Sequence, residues 1–391
     1  MGNLAIIGYH EVPTLIAPER TREDILFEVC MGAIRDAGID KDDVEGWISV
    51  APQAQPKLAS EMLIGKPVED LGLKGVKDSV VCNAGGASTT NCLRMAEQWI
   101  DSGMAKIVIV PHVTVQSDLA SADLVHFFAY NGIDLEWEYP FGSTFNGAMA
   151  LITRRYMYET GSTAEDMAAI TVALRDWASR DPLSLFCGKP VTIEDVINSR
   201  MISSPLRAKE CNKLADGGGA LVLAHKDLAR EICDKPVYKL GHGSAFPGPV
   251  PLTRQDTFWR KSYRSASDEA LAQANLRKED IDIFEIYGAY PFSQATFLEG
   301  MELCGENDGA RFIRDGHTML GGKLPCTTIG DATGRGHTGS GVSMAFYINV
   351  ARQLMDRAGA NQIHDVSHIL NTTCGGTGFN QTVTIWGREA A

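Results

Sequence analysis

Short apolar runs separated by longer amphipathic segments organise this sequence into alternating strands and helices. The clearest run is Ile107-Val108-Ile109-Val110, whose uninterrupted apolar character is typical of a buried strand of a parallel sheet. The pattern predicts strands at residues 4–9, 44–50, 79–81, 106–113, 221–223, 237–241, 281–287, 366–371 and 381–387, and helices at 85–102, 146–160, 163–179 and 338–357. This alternation predicts βαβ units on a mostly parallel sheet, which is an α/β fold.

An internal duplication divides the chain. Residues 33–48, AIRDAGIDKDDVEGWI, align with residues 270–285, ALAQANLRKEDIDIFE, at a constant offset of 237. Self-similarity at one long period indicates two copies of a unit rather than a solenoid. We therefore predict two halves, 1–235 and 236–391, with a substrate-covering insert at about 114–218 in the first half.

Composition and charge narrow the function classes. The 391 residues include 36 Lys and Arg against 49 Asp and Glu, and this net charge of −13 disfavours nucleic acid as a partner. The apolar runs are too short to span a membrane, and the first residues do not resemble a signal peptide, so a cytoplasmic location is expected. The nine cysteines are scattered and contain no Cys-x-x-Cys pair, which predicts neither a disulfide framework nor a metal site.

The first candidate for chemistry is Cys82, which ends a predicted strand just before a helix. Unpaired N–H groups and the helix dipole stabilise a thiolate at such a position, and the thiolate is the form that attacks carbonyls. Two glycines, Gly85 and Gly86, follow it and allow a close approach of backbone and substrate. The alternative is a buried structural cysteine before a glycine turn.

A second candidate, His337, lies in the glycine-rich segment 334–341, GRGHTGSG. A histidine at the start of a helix can activate a thiol or donate a hydrogen bond to an oxyanion. In isolation, a histidine in such a loop is more often exposed to solvent. The duplication changes this expectation, because equivalent strand–helix junctions would bring Cys82 and His337 to the same end of the sheets.

These segments resemble the thiolase superfamily, nearest the sterol-carrier-protein-type and archaeal thiolases and the related thiolase-like acyltransferases and aldolases. Residues 82–87, CNAGGA, resemble the nucleophile segment Cys-Ala-Ser-Gly-Gly-Ala, and residues 336–339 resemble the Gly-His-Pro loop. The resemblance extends from residue 4 to residue 387. It implies a five-layered α-β-α-β-α fold of two duplicated halves, with Cys82 as nucleophile and His337 as its activator and an oxyanion donor.

The same resemblance carries expectations about ligands and assembly. It implies no tightly bound cofactor, and it allows a coenzyme A thioester as substrate. It also implies a homodimer or a dimer of dimers that binds a small-molecule acyl donor and acceptor. Some branches of the family form complexes with a separate OB-fold zinc-ribbon subunit, so such a partner is a further expectation.

Several positions depart from ordinary thiolases: Pro is missing after His337, residues 327–330, TTIG, replace an Asn-Pro-Ser-Gly-like turn, and two further departures bear directly on the chemistry. Tyr287, in the segment 287–290, YGAY, replaces the histidine of a His-Asp-x-Phe motif, and a phenol with a pKa near 10 is not a ready base at pH 7. Cys374, in the segment 371–378, NTTCGGTG, matches the second reactive cysteine of thiolases only if a gap is allowed. Cys374 is therefore either catalytic or a structural cysteine before a glycine turn.

Three functions remain open from the sequence. An acyl-Cys82 intermediate would support an acyltransferase that forms or breaks a C–C bond beside a carbonyl, including C-acylation of phenolic acceptors. Tyrosine at position 287 also resembles thiolase-like aldolases that cleave side-chain β-hydroxyacyl-CoA, in which Tyr287 would give or take a proton. The third function is a non-catalytic subunit that binds acyl-CoA. We expect the acyltransferase, because an aldolase leaves Cys82 unexplained.

Overall fold

The apolar and amphipathic segments form a mixed α/β structure. The computed structural model describes residues 2–17, 19–51, 65–117, 119, 121–129, 132–247, 257–376, 378 and 380–390, so Thr377 of the predicted Cys374 segment lies outside the described residues. The strands are β1 (Leu4–Leu15), β2 (Gly46–Val50), β3 (Asp78–Cys82), β4 (Ile107–Thr114), β5 (Met201–Ser203), β6 (Leu206–Arg207), β7 (Asp216–His225), β8 (Val237–Ala245), β9 (Ile283–Ile286), β10 (His368–Gly375) and β11 (Asn380–Gly387).

Helices connect and cover these strands. They are α1 (Arg22–Asp36), α2 (Gly65–Leu71), α3 (Ser88–Asp101), α4 (Ser121–Ala129), α5 (Phe145–Thr160), α6 (Ala164–Arg180), α7 (Ile193–Ile197), α8 (Lys226–Ile232), α9 (Arg260–Ala274), α10 (Pro291–Gly300), α11 (Gly309–Arg314), α12 (Asp331–Arg335) and α13 (Ser343–Leu354). Within the described ranges, no helix combines the length and the apolar character needed to cross a membrane.

The main sheet contains both copies of the duplicated unit. Across the described residues its strand order is β3-β2-β4-β7-β1-β8-β11-β10-β9, and the two halves meet where Ala5 lies opposite Tyr238 and Ile6 lies opposite Val237. The order on one side of this junction mirrors the order on the other. Phe284 in β9 even forms a parallel bridge with Cys326, in the place that β3 holds beside β2. The predicted α/β fold of two similar halves is confirmed.

The local chemistry of the repeat explains its matching structure. In each copy a helix, α1 or α9, is followed by a 3-10 turn, Lys41–Asp43 or Lys278–Asp280, and then by a buried strand. The aspartate that ends each turn accepts a hydrogen bond from the backbone N–H three residues earlier, which fixes the entry into β2 and β9. The offset of 237 is therefore preserved in three dimensions.

The prediction of a mostly parallel sheet was wrong. Within the described residues, five of the eight strand pairings in the sheet are antiparallel, and only β2 with β3, β2 with β4, and β9 with β10 are parallel. The last strand of each half, β7 or β11, enters in the reverse direction beside the first strand. The apolar run in β4 reflects the burial of both faces of the strand. This burial does not reveal strand direction, because β4 pairs with a parallel neighbour, β2, and with an antiparallel neighbour, β7.

Helices form layers on both sides of the sheet strands. Apolar residues of α3 and α13, such as Leu93 and Ile348, form one core with residues of β1, β4 and β7. Helices α1 and α9 contribute to the other core, on the opposite face of the same strands. Between β4 and β7 lie α4 to α7 and the small β5–β6 pair, which is the segment predicted as an insert. The division of the chain at residue 235 remains a prediction.

Candidate functional site

The backbone of His337 is fixed by three hydrogen bonds to segments of the first half. Its N–H donates to the carbonyl of Lys213 at 2.9 Å, and its carbonyl accepts from the Ala215 N–H at 3.0 Å. The Gln116 side chain donates to the same carbonyl at 2.8 Å. His337 therefore lies at the junction of the two halves, held against the approach to β7.

A buried cluster of four charges holds the segment that leads to His337. Arg335 donates to Asp181 at 2.5 Å and to Glu11 at 2.6 Å, and Arg352 donates to both oxygens of Asp181 at 3.2 and 3.3 Å. Burial raises the pKa of Asp181, but the two guanidinium groups together hold that pKa below its usual value. Burial raises the pKa of Glu11 to about 7, against the lowering effect of Arg335. The cluster pairs two guanidinium groups with two carboxyl groups and joins β1, the end of α6, α12 and α13.

The ring of His337 presents a hydrogen-bond donor. Its Nδ1 accepts the Gly339 N–H at 3.1 Å, so the neutral ring carries its proton on Nε2. Burial, and secondarily His112, lowers the pKa of His337 to about 4. At neutral pH the imidazole is uncharged and offers an N–H, which suits an oxyanion donor and does not suit a base acting through Nε2.

Tyr287 and Cys374 come from neighbouring strands of the second half. Tyr287 follows β9, and its N–H donates to the Thr372 hydroxyl at 3.2 Å on β10, two residues before Cys374. Burial, and secondarily the charge of Asp331, raises the pKa of Cys374 to about 12. Burial, followed by the charges of Cys374 and Asp331, raises the pKa of Tyr287 well above its usual value. Both groups therefore hold their protons at neutral pH. Within the described residues the Tyr287 hydroxyl has no hydrogen-bond partner.

Cys82 lies at the end of β3 and is half-buried. Cys82 and Val80, which share a face of the strand, pack against the core formed by α3 and α13. A hydrogen bond with the Cys92 thiol lowers the pKa of Cys82, whereas burial raises the pKa of Cys92. The cause of this shift is a neighbouring thiol on α3, not the helix terminus expected from the sequence, because α3 begins only at Ser88.

The two glycines that follow Cys82 approach the second half closely. A β-carbon on Gly86 would lie 2.4 Å from Cε1 of Tyr287 and 2.5 Å from the carbonyl oxygen of Cys374. A β-carbon on Gly85, whose φ is +58°, would lie 3.0 Å from the Gly376 nitrogen. Only glycine fits at these positions without movement of the opposing loop.

We expect Gly86→Ala to lower the free energy of unfolding by about 1–3 kcal/mol, because the new methyl group overlaps the Tyr287 ring and a backbone carbonyl. Chemical denaturation measures this loss. Gly305→Ala is the control, because its β-carbon would make an ordinary 3.4 Å contact with Asp308. Equal effects of the two substitutions would contradict the close packing described for Gly86.

A cavity of 260 Å³ opens between these segments. Its lining includes Tyr287, His337, Cys374 and the glycines around them. The rest of the lining is mostly apolar and aromatic and comprises Leu124, Val125, Phe128, Thr144, Phe145, Asn146, Met149, Asn212, Leu214, Trp259, Ala289 and Tyr290. The cavity therefore combines a few polar groups with a mostly apolar wall, as sites for organic substrates do.

The structure brings three of the four predicted site residues together. Tyr287, His337 and Cys374 line the cavity, whereas Cys82 is not among its lining residues, and Gly85 and Gly86 take the place expected for it. The roles of all four residues remain predictions.

Sequence analysis missed a polar pair in the cavity wall. The Tyr290 hydroxyl donates to Oδ1 of Asn146 at 2.5 Å, and both residues line the cavity. Tyr290 belongs to the same segment as Tyr287, which was a signal available in the sequence. Asn146 lies in the first turn of α5, and nothing in its sequence context distinguishes it.

Comparisons with known proteins agree with this fold. A family model described as Thiolase C-terminal domain-like matches residues 250–388. An acetyl-CoA acetyltransferase of Methanothermobacter thermautotrophicus is 30% identical over 392 residues, which cover 99% of this chain and 100% of that protein. A steroid side-chain-cleaving aldolase of Thermomonospora curvata is 27% identical over 382 residues, covering 95% of this chain and 94% of that protein.

A solved structure that is similar to this chain is also that of an aldolase. The Ltp2-ChsH2(DUF35) aldolase superposes with a TM-score of 0.82 at 26% identity, and the match covers 99% of this chain and 98% of that chain. The similar proteins thus divide between two named activities, acetyl transfer and aldol chemistry.

Proposed function

Because the chain belongs to the thiolase superfamily, we propose that it breaks or forms a C–C bond beside the carbonyl of an acyl thioester by aldol chemistry. The observation that carries this proposal is the composition of the cavity wall. Gly85 and Gly86 face Tyr287 and Cys374 there, and Cys82 does not line the cavity. Aldol chemistry needs proton transfer and an oxyanion donor but no acyl-enzyme, so it uses the groups that the cavity presents.

Each step of the cleavage has a candidate group. Cleavage of a β-hydroxyacyl thioester takes one proton from the hydroxyl, breaks the bond between the α and β carbons and delivers one proton to the α carbon. The Nε2–H of His337 stabilises the negative charge on the thioester oxygen, and Cys374, a thiol at neutral pH, gives its proton to the α carbon. The thiolate left on Cys374 takes the phenol proton of Tyr287, and the Tyr287 oxygen takes the proton of the β-hydroxyl. Protons lost and gained balance in this relay, so no outside acid or base is consumed.

The acyltransferase expected from the sequence is the second candidate. The lowered pKa of Cys82 beside Cys92 favours it, as does the acetyl-CoA acetyltransferase relative. In that function Cys82 would carry the acyl group, and its segment would have to turn toward His337. The non-catalytic subunit is the outcome in which neither chemistry is found.

Cys82→Ala separates the two chemistries. We expect the variant to retain cleavage of a β-hydroxyacyl-CoA within about threefold of the native kcat, because no step above passes through this thiol. Product carbonyl and acyl-CoA are quantified by liquid chromatography and mass spectrometry. Cys187→Ala is the matched control, since Cys187 is an exposed cysteine outside the cavity lining.

The same proteins are then incubated with acetyl-CoA and acetoacetyl-CoA, and their intact masses are measured by mass spectrometry. An acyl adduct that is present on the native chain and on Cys187→Ala but absent from Cys82→Ala would overturn the aldolase in favour of the acyltransferase. A chain with neither cleavage nor adduct would be the binding subunit.

We also propose an assembly in which the chain is at least a homodimer. Strand β3 is an end strand of the sheet and is only partly buried, so a second copy could continue the sheet there. The structurally similar Ltp2-ChsH2(DUF35) aldolase is named for two components, Ltp2 and ChsH2(DUF35). We propose a separate partner subunit of this kind for the present chain, with a coenzyme A thioester as substrate and no tightly bound cofactor.

A further inference from the structure

Asp331 is a buried carboxyl group at a strained position beside the candidate site. Its side chain is inaccessible to solvent, and its φ is +52°, a left-handed conformation that is uncommon for residues other than glycine, although aspartate adopts it more often than most. Within the described part of the chain it forms no ion pair. Burial raises its pKa to about 7, although hydrogen bonds from nearby amides act in the opposite direction.

The hydrogen bonds of Asp331 join three segments around the site. Its Oδ1 accepts the Ala332 N–H at 2.7 Å, and its Oδ2 accepts the Gln294 amide at 3.4 Å. Gln294 also donates to the carbonyl of Ile286 at 2.7 Å, at the end of β9. The backbone N–H groups of Gly288 and Ala289 hydrogen-bond to the Asp331 carboxylate as well, which lowers its pKa.

Two other residues near Asp331 also have a left-handed backbone. Thr327, with φ +53°, donates its hydroxyl proton to Oε1 of Gln294 at 2.7 Å, and Ala289 has φ +59°. Three residues other than glycine thus hold left-handed backbone around one carboxylate. Such strain persists only where surrounding contacts fix it, and it clusters at functional sites.

We infer that Asp331 is a positioning residue that fixes, together with Gln294, the turn at residues 287–290, which carries Tyr287 and Tyr290 into the cavity. Its catalytic consequence rests on the proposed function, whereas its effect on the turn and on the Cys374 thiol does not. Glycine would relieve the strained backbone at position 331 but would remove the carboxylate. The turn at residues 287–290 therefore requires the side chain of Asp331 rather than its backbone conformation.

The titratable groups that respond to this carboxylate come from three neighbouring elements. They are Tyr263 of α9, Glu285 of β9, Tyr287 after β9 and Cys374 of β10. All four are acids, and the charge of Asp331 raises the pKa of each. Removing that charge should therefore lower the pKa of the Cys374 thiol and increase its thiolate fraction at a given pH.

The direct test is alkylation of Cys374 in the folded protein, which needs no substrate. Native protein, Asp331→Asn and Asp331→Gly are treated with iodoacetamide from pH 6 to pH 9, and labelling of Cys374 is followed by peptide mass spectrometry. We expect Cys374 of Asp331→Asn to be labelled faster than Cys374 of the native protein at pH 8, because loss of the Asp331 charge lowers the pKa of the thiol. The difference should shrink below pH 7, where Asp331 of the native protein becomes protonated.

Steady-state kinetics distinguish the positioning effect of Asp331 from the effect of its charge. Asn at position 331 keeps an acceptor for the amides of the turn, so we expect Asp331→Asn to retain kcat for cleavage within about threefold, with a shifted pH profile. Asp331→Gly loses the acceptor, and we expect kcat to fall roughly tenfold or more with little change in KM. Asp331→Gly also keeps the test valid if Asp331→Asn does not fold, because glycine relaxes the backbone.

Asp365 provides matched controls. It is an exposed aspartate with φ +58°, so Asp365→Asn and Asp365→Gly report the effects of charge and backbone relief without a contact to the cavity. Native rates of Cys374 labelling in both Asp331 variants would overturn the inference. Altered labelling in a protein that cleaves no β-hydroxyacyl-CoA would support the inference and overturn the aldolase.

Discussion

His337→Ala should lower kcat for C–C bond cleavage by roughly 10²- to 10³-fold, the cost of removing one oxyanion-hole donor. The loss should appear mainly in kcat, because in the proposed mechanism the N–H of Nε2 acts on charge that develops during the reaction. His337→Gln should recover part of the rate, since its amide can place an N–H near the position of Nε2. Steady-state kinetics of the folded variants provide the measurement.

The pH dependence tests the same role. Because the pKa of His337 is lowered to about 4, the ring is neutral from pH 5 upward, and no loss of activity near pH 6.5 should come from its protonation. His364→Ala is the matched control, because His364 is exposed. A His337→Ala variant with native kcat and a native fold would assign this residue a structural role only.

Tyr287→Phe should lower kcat roughly 10²-fold, the effect of one lost hydrogen bond to developing charge. The ring packs edge-on against Phe346 with centroids 5.6 Å apart, and phenylalanine preserves that contact, so the free energy of unfolding should change little. The rate of carbonyl release and the denaturation midpoint are measured together. Tyr158→Phe is the control, because Tyr158 is 84% exposed.

This variant also distinguishes the two chemistries. An aldolase loses carbonyl release in Tyr287→Phe and keeps it in Cys82→Ala. An acyltransferase would instead accumulate acyl-Cys82 in Tyr287→Phe and be impaired in transfer to the carbon acceptor. The second pattern would show that Tyr287 serves the acceptor rather than a β-hydroxyl group.

The sequence predicted the duplicated architecture because burial leaves a periodic pattern. The repeat at residues 33–48 and 270–285 corresponds to matching turns and strands, and the segments of Tyr287, His337 and Cys374 meet at one cavity. Strand direction was not predictable, because an apolar run records burial rather than the direction of its neighbours. The helical pattern of α5 and α6 was recognisable for the same reason as the repeat.

The details of the site depended on side-chain direction, which spacing does not encode. Cys82 lies four residues from Gly86, yet its side chain packs toward Cys92 while Gly86 faces Tyr287. The role proposed for Asp331 could not be predicted from the sequence for a related reason, because it depends on the burial of the side chain and on a left-handed backbone. The hydrogen bond between Asn146 and Tyr290 joins residues that are 144 positions apart, and no local sequence pattern predicts it.

The charge cluster around Arg335 has a consequence for how the protein is made. Glu11 lies near the start of the chain and Arg352 near its end, so the anions of the first half are synthesised long before the cations that neutralise them. Breaking a buried ion pair costs about 3–5 kcal/mol, and an N-terminal half folded alone would have to leave Glu11 and Asp181 hydrated. The loop of His337 can therefore reach its final geometry only after translation has passed α13. Catalytic competence is among the last properties that the folding chain acquires.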